Sequence, residues 1–137
     1  MITTPATIVA LQAEWAGVEK MLGRMKLLVT ATFAGGAFTG PALANVVYNL
    51  PVLLAFDVLG QVLVASRDEG AFSCKGDKLG PLMDNAKVPL SWLDWQKLRD
   101  GVRYRNEIAH DGKLFEAKEC NEMISQIRNQ LTAWNIL

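Results

Sequence analysis

Side chains able to do chemistry crowd into one stretch, Arg103-Tyr104-Arg105-Asn106-Glu107-Ile108-Ala109-His110-Asp111-Gly112. His110 is the only histidine of the chain. An imidazole changes charge near neutral pH and can take or give a proton. A guanidinium such as that of Arg105 grips phosphate or carboxylate through two parallel hydrogen bonds and stabilises developing negative charge. Asn106 is suited to orienting either His110 or a bound phosphate. Arg103 and Lys113 are the candidate substrate-binding cations beside this set. Plainer roles compete: His110 as a favourable charge at a helix C-terminus, and Arg105 as the ion-pair partner of Glu107 or Asp111.

Asp111-Gly112 is a helix stop, so the stretch should end a helix. At about 100° per residue, Trp95, Leu98 and Val102 form an apolar seam that continues to Asn106 and Ala109. Arg105 and His110 should flank that seam, about 140° apart. The core-facing stripe would then turn polar at its end. A buried Asn and Arg left without partners cost several kcal/mol, so a solvent cleft, a second subunit or a ligand must satisfy them.

The elements that carry this stretch are helical throughout. Thr4-Pro5 reads as N-cap and first helical position. Ile8, Leu11, Trp15, Val18, Leu22, Met25 and Val29 then follow at helical spacing, ending near Phe33. Gly35 to Pro41 (GGAFTGP) follows a helix and lacks the Lys-Ser/Thr of a P-loop, which makes it a connector. A second long helix is expected from Pro41 to Ser66, with a kink at Pro51. Arg67 to Gly76 is turn-rich, Lys78 to Ala86 a short helix, and Lys87 to Ser91 a connector. Ser91 should cap the helix of the motif, with Asp94 in its first turn. The last helix spans Glu116 to Trp134, with Met123, Ile127, Leu131 and Trp134 on one face. The expectation is a single all-α domain over 1–137, an up-and-down bundle of four to five helices.

Composition narrows the function classes. Lys plus Arg equals Asp plus Glu, 14 against 14. That argues against a broad basic clamp for nucleic acid, though not against a small local cluster. Half the residues are hydrophobic, which argues against intrinsic disorder. Cys74 and Cys120 form neither a CxxC nor a zinc pattern. No set of acidic residues and histidine shows metal-ligand spacing, so neither metal nor cofactor is expected. Ala42 to Ala65 is apolar enough to suggest a membrane span, but Asn45, Asn49, Asp57 and Gln61 favour an amphipathic core helix. Met1 to Leu11 lacks a basic start and a long apolar run. The expected setting is the cytoplasm, with no membrane contact.

Arg105-Asn106, three residues and then His110 resembles the signature of the HEPN family: an Arg, a polar residue that is often Asn, a short spacer and a His. Leu98 and Val102 upstream, Ile108-Ala109 just before the histidine and Gly112 just after it fit the same pattern. The helical order covers nearly the whole chain, and about a dozen residues carry the resemblance. The further acidic-plus-basic motif of some members has no convincing match here, although Asp57 on the second helix is placed where an acid could assist. The resemblance implies a helical bundle that pairs as a homodimer, with the two Arg/His motifs facing each other. It implies a metal-independent endoribonuclease of a toxin–antitoxin, phage-defence or RNA-processing system, with a cognate antitoxin protein as partner in the first case. It implies Arg105, Asn106 and His110 as the catalytic residues.

The chemistry suits that implication. RNA carries its own nucleophile, the 2′-hydroxyl. Cleavage then needs a base, an acid for the leaving oxygen, and a cation at the phosphate. One chain offers one histidine, whereas a dimer offers two. The competing expectation is a catalytically inert helical module that binds a protein or a nucleotide, which zero net charge favours.

Overall fold

The computed structural model describes residues 1–34 and 46–137. Five helices follow one another among them: α1 (Pro5–Ala34), α2 (Asn49–Asp68), α3 (Leu79–Ala86), α4 (Trp95–Asp111) and α5 (Ala117–Ala133). The chain is all-α, as its periodicities require, and no strand occurs among the described residues. The connector expected at Gly35 to Pro41 and the first residues of the expected second helix lie outside the described residues.

α2 is the central element, and each of the other four helices packs against it. Its composition explains this. Val52, Ala55, Phe56, Leu59, Val62 and Leu63 recur at helical spacing and are all essentially inaccessible to solvent. α2 is long and apolar enough to cross a bilayer, yet 56% of its most apolar window is buried within the protein. α1 lays Leu11, Trp15, Val18 and Leu22 onto the core, and α5 lays down Cys120, Ile124, Ile127 and Leu131. The buried apolar side chains form one connected cluster.

Polar tethers set the directions of the helices. Thr3 donates its backbone N–H (2.6 Å) and hydroxyl (2.7 Å) to Glu69, and Thr4 N donates to the same carboxylate at 3.2 Å. The start of α1 is thereby held at the end of α2, so the two run antiparallel. Gln12 Nε2 donates to the Ile136 carbonyl at 2.8 Å, and Arg128 pairs with Glu19 at 2.6 Å, which aligns α5 along α1.

Two local expectations change. Pro51 does not interrupt a long helix. It stands in the first turn of α2, where an N–H has no intrahelical acceptor to lose. The cap of α4 is Asp94, whose side chain accepts from Lys97 N at 3.0 Å. Ser91 instead offers its carbonyl to Trp134 Nε1 at 2.6 Å and Gln130 Nε2 at 3.2 Å. The other end of α4 is as expected, with Gly112 in the left-handed region at φ 64°.

Candidate functional site

The motif helix α4 is seated against α2 through a glycine. A Cβ on Gly101 would stand 2.7 Å from Phe56 Cζ, so the ring occupies the place a side chain would take. One turn further on, Tyr104 meets Phe115 edge to face at 4.5 Å between centroids. The turn after α4 is fixed by Asn49, which is buried. Its amide donates to the Phe115 carbonyl at 3.0 Å, and its carbonyl oxygen accepts from Phe115 N at 2.9 Å. α4 and the turn after it are therefore held at fixed points on α2.

These contacts rotate α4 relative to the seam read from Trp95, Leu98 and Val102. The buried face is Leu98, Gly101 and Val102, with Tyr104 and Ile108 half-buried. Its centre is turned toward Gly101 by roughly 40–80° at 100° per residue. Asn106 and Ala109, expected at the end of the seam, are exposed, and Arg105 is half-buried beside it. Asn106 thus faces no burial penalty, and the polar end of α4 opens onto a solvent cleft.

That cleft has a volume of about 1070 Å³ and opens to solvent. Arg105, Asn106 and His110 all line it from α4, with Arg99 and Val102 deeper along the same helix. α2 contributes Phe56, Asp57, Gln61 and Asp68, α1 contributes Glu14, and the start of α3 closes the far end with Lys78 to Pro81. Nothing in the local sequence of α1 or α3 marks them as walls of this cleft. Gly80 faces Arg99 there, and a Cβ on it would lie 3.4 Å from Nη2, an ordinary contact.

The charges divide into committed and uncommitted groups. Arg99 grips Asp84 with two hydrogen bonds, Nε to Oδ1 at 2.8 Å and Nη2 to Oδ2 at 3.1 Å. That contact raises the Arg99 pKa and lowers that of Asp84. Arg67 holds Asp68 at 2.8 Å and Asp77 at 2.7 Å. Arg105, in contrast, hydrogen-bonds only the neighbouring Asn106, from Nη1 to Oδ1 at 3.3 Å. No carboxylate among the described residues pairs with it, so its fork remains available to a ligand. His110 is exposed at the rim.

Arg103 and Lys113 are not brought to the cleft. Both converge on Glu107, Lys113 Nζ at 3.3 Å from Oε2 and Arg103 Nε at 3.9 Å from Oε1. Neither cysteine offers a second nucleophile to this site. Cys120 is buried, with its thiol pKa pushed up to about 11 by desolvation and by the Glu119 carboxylate, and Cys74 is half-buried away from the cleft. No group of three or more His, Cys, Asp or Glu among the described residues is placed to share a metal ion. No family model, no curated protein and no solved structure matches the chain.

Proposed function

We propose that this chain is a metal-independent endoribonuclease of HEPN type, acting as a homodimer in a toxin–antitoxin or phage-defence setting in the cytoplasm. The observation that carries this reading is the convergence of Arg105, Asn106 and His110 on one open cleft, with the Arg105 guanidinium unpaired by any carboxylate. Asn106 Oδ1 orients that guanidinium, which binds the scissile phosphate. The 2′-hydroxyl oxygen attacks phosphorus while His110 of one copy takes its proton. The bond from phosphorus to the 5′-oxygen breaks, and the second copy's histidine protonates the departing oxygen. The products are a 2′,3′-cyclic phosphate and a 5′-hydroxyl. Support for pairing comes from exposed leucines: Leu50 and Leu54 on the outward stripe of α2 that continues into Asp57, and Leu114 just past α4.

A fluorescent single-stranded RNA assay tests the reading, with and without chelator. His110→Ala should fold and lose cleavage, because an exposed helix-end side chain contributes little to packing. Arg105→Lys keeps the charge but loses the fork, at a cost of roughly 2–4 kcal/mol, on the order of a hundredfold or more in rate. Full activity in either variant, or chelator-sensitive cleavage, would overturn the assignment. The second reading, an inert module for a protein or nucleotide, rests on the cleft carboxylates and on the commitment of Arg103 and Lys113 to Glu107. Absence of cleavage by the wild type would favour it.

A further inference from the structure

The two sides of the cleft differ in charge. α4 presents Arg105 and His110, whereas α1 and α2 present Glu14 and Asp57. Asp57 pairs with no cation among the described residues. Its Oδ2 accepts a hydrogen bond from Gln61 Nε2 at 3.0 Å, which leaves Oδ1 and the Gln61 carbonyl oxygen as neighbouring acceptors on one exposed stretch of α2. Asp57 is also not in ion-pair contact with Arg105 or His110, which leaves room for a ligand between the walls.

We infer that Asp57 and Gln61 form a base subsite that selects guanosine in the RNA held by Arg105 and His110. The inference rests on the ribonuclease reading and deepens it. A phosphate cannot sit against an ionised carboxylate without like-charge repulsion, so the part of a nucleotide facing Asp57 must be one that donates hydrogen bonds. Guanine presents two adjacent donors on its Watson–Crick edge, the ring N1–H and the N2 amino group, and this wall of the cleft supplies two acceptors, the complementary kind of group. Uracil presents one N–H between two carbonyl oxygens, and those oxygens would face the carboxylate. A site built to accept two hydrogen bonds discriminates strongly against a base that cannot supply them.

Binding of 2′-O-methylated oligouridylates with a central guanosine, inosine or uridine, followed by fluorescence anisotropy, separates recognition from cleavage. The wild type should prefer guanosine to uridine by on the order of tenfold to a hundredfold. Inosine, which lacks the N2 amino group, should fall between them. Asp57→Asn should lose most of the preference and bind the uridine oligomer more tightly than the wild type does, because the repulsion is gone. Gln61→Leu should lose part of the preference with the carboxylate intact. Both positions are exposed, so circular dichroism should show wild-type folds. Equal binding of guanosine and uridine by the wild type, or an unchanged preference in Asp57→Asn, overturns the subsite and leaves the RNA reading standing. Failure to bind any of the oligomers overturns the RNA reading and the subsite with it.

Discussion

An alanine at position 101 would place its Cβ 2.7 Å from Phe56 Cζ, inside any tolerable contact. Phe56 is 1% exposed, so its ring has little space into which to swing. Overpacking of a tight core costs about 1–3 kcal/mol, and a rigid ring met end-on belongs in the upper half of that range. Alanine is also the better helix former, by about 1 kcal/mol in a helix interior. The net expectation for Gly101→Ala is a loss of about 1–2 kcal/mol. Leucine at 56 lacks an atom at the Cζ position. In a Phe56→Leu background the same glycine substitution should therefore become neutral or stabilising, by up to about 1 kcal/mol. Urea unfolding of the wild type, both single variants and the double variant closes the cycle, with a coupling of about 1–3 kcal/mol. Stabilisation by Gly101→Ala alone, or strict additivity, would refute the claim that this ring sets the approach of α4 to α2.

Two further perturbations address the tethers. Asn49→Ala strands the N–H and C=O of Phe115, both bonded to the Asn49 amide, in a buried setting, and should cost about 2–4 kcal/mol in urea unfolding. A loss under about 0.5 kcal/mol would mean that water replaces the amide. Glu69 is held ionised by the Thr3 and Thr4 donors, with its pKa lowered from 4.5 to about 2. A depressed carboxylate contributes stability that is fully present above its unfolded pKa and lost as pH falls through the window from about 4.5 to 2. The difference in thermal midpoint between wild type and Glu69→Gln should accordingly be largest at neutral pH and shrink across that window; a difference independent of pH would contradict the ionic account.

Periodicity made most of the fold legible. Leu11, Trp15, Val18 and Leu22 on α1, and Ile127, Leu131 and Trp134 at the end of the chain, are buried where helical spacing places them. The end of α4 at Gly112 was equally legible, since a left-handed cap favours glycine. The rotation of α4 was not. A seam drawn through large apolar residues ignores Gly101, whose contribution is the absence of a side chain, and the ring that fills the space comes from Phe56, 45 positions earlier. The wall formed by the start of α3 was hidden too, because Lys78 to Pro81 carry no local mark of facing the cleft. Arg105, Asn106 and His110 were identified from residue type and spacing. Their common cleft depends on α1, α2 and α3, and local sequence carries no information on which distant helices supply the opposite walls.

One histidine per chain makes the proposed reaction depend on two copies, and that dependence has a quantitative consequence. When wild-type and His110→Ala subunits exchange freely at equal amounts, random pairing leaves about a quarter of the dimers fully wild type. If acid and base come from different copies, a mixed dimer lacks one of them and is inactive. Activity should then fall to about a quarter, whereas independent sites would retain about half. Differently tagged copies that co-purify would verify that exchange has occurred. Leu54→Arg provides a separate check, because Leu54 is 36% exposed and belongs to the apolar stripe assigned to the interface. A charge there should dissociate the dimer and abolish cleavage while the far-ultraviolet circular dichroism of the helices is retained. Sedimentation of the wild type as a 15.0 kDa species at micromolar concentration would sink the two-copy mechanism. Linear dilution of activity by His110→Ala would leave RNA cleavage possible but would require the acid to come from within one chain, where Glu14, Asp57 and Asp68 are the carboxyl groups that α1 and α2 supply to the cleft.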